Sequence, residues 1–142
     1  MKTVRINERL SVAGQMSTAD VAKAVTAGFR TIINNRPDGE EPGQPPSDVI
    51  EAAAQRDGLS YVRLPVRGPD ITEDKVRAFQ AAIANSDGPV LAHCRSGTRS
   101  LTLFVIGEAL DGRMRVQEIE AFGARNGFDL RGAVAWLRAH GQ

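Results

Sequence analysis

The sequence predicts an α/β fold: three layers, with a central, mostly parallel sheet of four to five strands between helices. Three observations predict it. Short apolar runs rich in β-branched residues alternate with longer segments of helical period. Cap residues and glycines fall at the boundaries between the two kinds of segment. Hydrophobic residues make up 42% and charged residues 25% of 142 positions, the balance of one packed domain spanning residues 1–142.

Val4–Ile6 reads as the first strand and Leu10–Ala13 as a second short one. Thr18 or Ser17 caps a helix from about Ala19 to Ala27, and Gly28 suits its left-handed stop. Thr31–Asn34 (TIIN) reads as a buried strand. Asn35–Pro46 (NRPDGEEPGQPP) follows, with four of the seven prolines and two glycines. A loop this long is either functional or a surface insert. Ser47 then caps a helix through about Arg56, with Asp48 and Glu51 at its positive end, and Gly58 ends it. Leu59–Leu64 is the next strand, closed by Pro65, and Val66–Ile71 (VRGPDI) is a loop. Thr72 caps a helix with Val76, Phe79 and Ile83 on one face. Pro89–Ala92 is a short apolar strand, and after HCRSGTRS comes a helix to about Leu110. Val116–Arg125 and Leu130–Ala139 are two further helices; Gly127 separates them and Asp129 can cap the second. Val134, Trp136 and Leu137 give the last one an apolar face, on which the single tryptophan reads as core.

Composition excludes several classes of function. Eighteen basic and seventeen acidic residues leave a formal charge of +1, which gives no field for nucleic acid or an anionic membrane surface. One cysteine rules out an internal disulfide framework, and with two histidines it makes no zinc cluster. No metal or other cofactor is implied. The first ten residues, MKTVRINERL, lack the apolar run of a secretory signal, and no stretch approaches eighteen apolar residues. The expectation is a cytoplasmic protein whose partner is a small anionic or phosphorylated substrate. Oligomeric state is left open.

The chemistry is concentrated in Pro89–Ser100, PVLAHCRSGTRS. An apolar strand runs into His93–Cys94, a turn containing Gly97 follows, then Arg99 and a helix. The first amides of a helix have no intrahelical acceptor and can point at an oxyanion. Gly97 permits the positive φ that folds these amides into a nest. Arg99 adds a planar pair of charged donors. Arg95, Ser96, Gly97, Thr98 and Ser100 complete the anion-binding loop, with Ser100 placed to donate to the Cys94 sulfur. Cys94 sits at the mouth, where the helix dipole and Arg99 are expected to lower its pKa below the free value of roughly 8.5. A thiolate facing a bound oxyanion is a nucleophile for phosphorus or sulfur. Arg95 and Arg67 are placed either to line the mouth or to lie solvated on the surface.

HCRSGTRS resembles the active-site loop of the cysteine-dependent phosphatases and rhodaneses. The wider pattern resembles the beta-lactamase-hydrolase-like phosphatase family, a former domain of unknown function with a dual-specificity-phosphatase-like fold. The matching stretches are LSVAGQMSTADVAKAVTAGFRTIINNRPDGE, GLSYVRLPVRGPDIT and PVLAHCRSGTRS, and the resemblance covers roughly residues 4–130. It implies a cysteine-phosphatase-like fold and a histidine, His93, that hydrogen-bonds to hold the cysteine loop. It also puts Asp70, in the Gly68–Pro69–Asp70 turn, where such phosphatases carry their acid loop. Loops at the carboxyl ends of parallel strands converge on one rim, so the strand before Cys94 and the strand ending near Pro65 both deliver there. Asp38 and Glu40 of the long loop are alternative acids.

One departure divides the readings. Tyrosine and dual-specificity phosphatases place five residues between Cys and Arg; here four stand between Cys94 and Arg99, as in many rhodaneses. The first reading is a cysteine-dependent phosphatase: Cys94 attacks phosphorus, the loop amides and Arg99 hold the oxygens, and Asp70 protonates the leaving oxygen. The second is a rhodanese-like sulfurtransferase, in which Cys94 takes sulfur from thiosulfate or a persulfide. The third is an anion-binding module without turnover.

Overall fold

A computed structural model describes residues 2–142. Its sheet has five strands, β1 (Thr3–Arg5), β2 (Leu10–Ala13), β3 (Thr31–Asn34), β4 (Ser60–Arg63) and β5 (Val90–His93), in the order β1-β2-β5-β3-β4. β1 pairs with β2 antiparallel at one edge, and every other pair is parallel. Six helices surround it: α1 (Thr18–Thr26), α2 (Ser47–Arg56), α3 (Glu73–Ala84), α4 (Thr98–Leu110), α5 (Val116–Asn126) and α6 (Arg131–Ala139).

Alternation along the strands divides the core in two. Val90, Ala92 and Ile33 face one layer with Phe79, Leu101, Ile106, Ile119 and Leu137 from the last four helices. Leu91 and Ile32 face the other, with Val21 and Ala24 of α1 and Ile50, Ala53 and Ala54 of α2. β5 is central and fully buried, which is why its sequence is a continuous apolar run up to His93. α4 lies directly behind it and is buried nearly all round, so its apolar residues show no single face.

The predicted elements stand, with boundaries moved by a residue or so: the first strand is Thr3–Arg5, and the strand before the cysteine runs on to His93. Ser17 rather than Thr18 caps α1, in a capping box with Asp20. Two caps differ from expectation. Ser47 is the first helical residue of α2, and its backbone N–H and hydroxyl both donate to the Asp38 carboxylate, at 2.8 and 2.7 Å. The capping acid comes from nine residues upstream. Asp129 likewise accepts from the Arg131 N–H while Leu130 holds the cap position. Trp136 is only partly buried, so it flanks the core rather than filling it. Within the 66–71 loop, Gly68–Asp70 forms a 3₁₀ turn. No helix among the described residues is long and apolar enough to cross a membrane.

The carboxyl ends of β2, β5, β3 and β4 open on one rim. There the loops beginning at Gly14, Cys94, Asn35 and Leu64 meet.

Candidate active site

The chain turns sharply where β5 ends. Cys94 is buried, and Gly97, at φ 96°, is the N-cap residue of α4. No side chain among the described residues caps this helix, so the amides of its first turn are left for an outside acceptor. The Gly97 N–H donates to Cys94 Sγ at 3.0 Å. The sulfur therefore sits at the positive end of α4 with a donor already directed at it. A β-carbon at Gly97 would lie 3.0 Å from Phe128 Cε1, so both backbone and space require glycine.

Neighbouring loops fix the cradle from below. The Cys94 N–H donates to the Ala13 carbonyl at 3.4 Å, and the Gln15 N–H to the Arg95 carbonyl at 3.1 Å. A β-carbon on Gly14 would approach that carbonyl oxygen to 2.9 Å, so the β2 loop can prop the ring only with glycine there. Ser96 and Thr98 bring their hydroxyls within 3.3 Å of each other on the rim.

Arg99 is held by a residue far away in sequence. Its Nη1 donates to Glu40 Oε2 and its Nη2 to Glu40 Oε1, both at 2.8 Å, and Nη1 also donates to the Val66 carbonyl at 3.0 Å. A guanidinium has five N–H groups in a planar fork. Glu40 takes the Nη1–Nη2 edge and Val66 the outer Nη1 hydrogen. The Nε–Nη2 edge remains, and the Cys94 side chain also interacts with this guanidinium.

Glu40 is fixed in turn by Arg36, whose Nε donates to Glu40 Oε1 at 2.9 Å, Nη2 to Glu41 Oε1 at 2.7 Å and Nη1 to Gln15 Oε1 at 3.1 Å. Arg36 is buried. Burial alone would lower its pKa, but the bonds to Glu40 and Glu41 outweigh this and raise it. The hydrogen bond from Arg99, more than that from Arg36, pulls the Glu40 carboxyl down to about 2. Glu41 also pairs with Arg95 at 3.3 Å. Arg36, Glu40, Glu41, Arg95 and Arg99 together line a cavity of about 280 Å³ at the cradle mouth. A larger groove of about 670 Å³, between the β1–β2 turn and α3–α4, contains none of these residues.

The long Asn35–Pro46 loop is therefore built into the site. Asp38 serves α2, and Glu40 is bound by two arginines, which leaves neither as a free acid. Asp70 is exposed, and its carboxylate makes no hydrogen bond or ion pair among the described residues. It stands four residues beyond Val66, whose carbonyl touches Arg99. Arg67 is exposed beside it.

Two sequence expectations need correction. Ser100 is fully buried and donates to Asn35 Oδ1 at 2.7 Å, so its single hydroxyl hydrogen is not directed at Cys94. Asn35 in turn donates from Nδ2 to the Leu64 carbonyl, which ties α4 to the ends of β3 and β4. His93 is also fully buried, yet neither ring nitrogen has a well-formed hydrogen bond; a weak polar interaction with the Cys94 backbone is what remains. Its backbone carries the support instead, through the His93 carbonyl and the Asn35 N–H at 2.8 Å.

Burial lowers the His93 pKa from 6.5 to about 4. The unfolded chain takes up this proton first, so stability is complete above pH 6.5 and falls as pH drops toward 4. The loss is on the order of 3 kcal/mol. Thermal unfolding recorded across this window should show the decline in the native chain and a flatter profile in His93→Gln. No three His, Cys, Asp or Glu side chains among the described residues are grouped to hold a metal.

The model of the family described as "Beta-lactamase hydrolase-like protein, phosphatase-like domain" matches residues 2–111. The chain belongs to that family. A beta-lactamase hydrolase-like protein of Agrobacterium fabrum is 56% identical over 137 residues, 96% of this chain and 32% of the relative. One from Xylella fastidiosa is 53% identical over 138 residues, 97% of this chain and again 32% of the relative. The chain thus spans about a third of the length of these relatives. Among solved structures, a candidate phosphatase from Neisseria meningitidis is 33% identical with a TM-score of 0.84, covering 94% of both chains. TpbA of P. aeruginosa is 20% identical with a TM-score of 0.71, covering 96% of this chain and 83% of its own, and shares the fold. A Cys-to-Ser variant of TpbA was solved in complex with pTyr, at 19% identity and a TM-score of 0.69, covering 94% of this chain and 80% of its own. The phosphatase-like domain described here has the cysteine-phosphatase-like fold.

Proposed function

We propose that this domain is a cysteine-dependent phosphatase acting on phosphomonoesters of the phosphotyrosine or small aryl phosphate class. The observation that carries the reading is the Gly97 N–H directed at Cys94 Sγ at 3.0 Å, beside the one edge of Arg99 that neither Glu40 nor Val66 occupies. A planar phosphoryl group needs this set: a nucleophile beneath it, amides around it, and a bidentate fork for two of its oxygens.

In the first step Cys94 Sγ attacks phosphorus and the bond from phosphorus to the ester oxygen breaks. The Asp70 carboxyl gives its proton to that oxygen as it leaves. Water then attacks the phosphocysteine, the S–P bond breaks to release phosphate and the thiolate, and the Asp70 carboxylate takes the proton from water. Glu40 holds the Arg99 plane so that its free edge faces the anion through both steps, and Arg36 holds Glu40.

The Glu40→Gln variant tests that positioning. It keeps the shape but loses the double charge-assisted bond to Arg99. Aryl phosphate kcat/KM is expected to fall by about 10²-fold, the scale of an ångström-level misplacement. An unchanged kcat/KM would remove Glu40 from the site.

The four-residue spacing between Cys94 and Arg99 favours a second reading, sulfur transfer from thiosulfate. Sulfite leaves without a proton, so that activity would depend on Cys94 and be indifferent to Asp70. Parallel aryl phosphate and thiosulfate assays on the native chain separate the two.

A further inference from the structure

The segment carrying Asp70 hangs between two anchors. At its start, Val66 is buried; its N–H donates to the Asn35 carbonyl at 3.0 Å and its carbonyl accepts from Arg99 at 3.0 Å. At its end, Ile71 is buried and its carbonyl accepts from Trp136 Nε1 at 2.8 Å. Arg67 to Asp70 between them are exposed. Their other bonds are local: the Asp70 N–H to the Arg67 carbonyl at 2.9 Å, and Lys75 Nζ to the Asp70 carbonyl at 3.2 Å in an exposed position. The bond from Trp136 is the part-buried tie that reaches this end of the segment from α6, 65 residues away in sequence.

The indole is itself oriented. His140 stacks on it with centroids 3.7 Å apart and planes 12° from parallel, and His140 Nδ1 lies 2.7 Å from the Trp136 carbonyl. The same C-terminal segment also touches the cradle. Phe128 lies against Gly97, and Gly123 of α5 allows this approach, since a β-carbon there would lie 2.7 Å from the Phe128 carbonyl oxygen. The α5–α6 region therefore contacts both the residue that turns the cradle and the residue next to Asp70. It lies beyond residue 111, where the match to the family ends.

We propose that Trp136 is a positioning residue for the acid: its N–H, bound to the Ile71 carbonyl, sets where the Asp70 carboxyl stands relative to an anion in the cradle. The proposal rests on Asp70 being the acid of the reaction above. It makes α6 part of the machinery for leaving-group departure, while binding of the anion is left to the loop and Arg99.

Trp136→Phe retains the apolar ring and its stacking on His140 but removes the N–H. Two substrates read the result. Phenyl phosphate has a poor leaving group that needs the proton, and p-nitrophenyl phosphate has a good one that needs it less. The variant should lose about tenfold in kcat on phenyl phosphate, a fraction of a full general-acid contribution, with less than about twofold on p-nitrophenyl phosphate. In an Asp70→Asn background the same change should have no further effect, because the two residues act as one unit. If Trp136→Phe does not fold, His140→Ala, which leaves the N–H but frees the ring, should show the same substrate selectivity to a smaller degree. Equal losses on both substrates, or none, would overturn the proposal, while a selective loss in Asp70→Asn would leave the acid assignment standing. Without selectivity in Asp70→Asn itself, the acid assignment fails and the role of Trp136 fails with it.

Discussion

Replacing Cys94 with serine is expected to abolish aryl phosphate turnover, by on the order of 10⁵-fold or more, the cost of removing a covalent nucleophile. The hydroxyl occupies nearly the same space in a buried site, and its oxygen can still accept from the Gly97 N–H. Arg99 and the open amides of α4 are untouched. The variant should therefore still bind vanadate or phosphate and unfold at nearly the native midpoint. Steady-state kinetics, anion titration and denaturant unfolding on the same preparation make the comparison. Residual turnover within about tenfold of native would mean that the sulfur is not the nucleophile, since removal of such a group costs far more.

The second large effect belongs to Asp70. Asp70→Asn keeps the size and exposure of the side chain but cannot donate a carboxyl proton. Loss of a general acid costs roughly 10²–10⁴-fold, most with the poorest leaving groups. Phenyl phosphate turnover should collapse while p-nitrophenyl phosphate is affected less, and any thiosulfate activity should be unchanged. The 3₁₀ turn at Gly68–Asp70 is exposed and the Asp70 carboxylate makes no bond among the described residues, so stability should not move. Loss of activity accompanied by loss of the unfolding midpoint would point to a structural role instead.

Local physics made the elements legible. The β-branched run at Thr31–Asn34, the helix cap at Ser17, one of the two residues offered for it, and the glycine after α1 depend on neighbours within a few residues, and each lies where the pattern places it. The cradle was legible for the same reason: strand, cysteine, glycine and arginine are contiguous. What the sequence did not reveal are pairings across the fold. Asp38 looked like a free acid and caps α2; Ser100 looked like a partner for the sulfur and binds Asn35, 65 residues away. Glu40 looked like an alternative acid and is the clamp on Arg99, 59 residues away. One signal for this was present. The NNRPDGEE stretch puts an arginine a few residues before two glutamates, and a guanidinium can be buried only with carboxylates to neutralise it. His93 illustrates the opposite case: the family resemblance implied a hydrogen bond from its ring, and burial left the ring without a good one.

The most direct measurement is to mix the native chain with p-nitrophenyl phosphate, quench it in acid within a turnover, and locate added mass by peptide mass spectrometry. The account predicts one phosphoryl group on the Cys94 peptide, absent in Cys94→Ser and accumulating when release is slowed. A Cys94 peptide that carries an added sulfur after thiosulfate, and never a phosphoryl group after aryl phosphate, would contradict it.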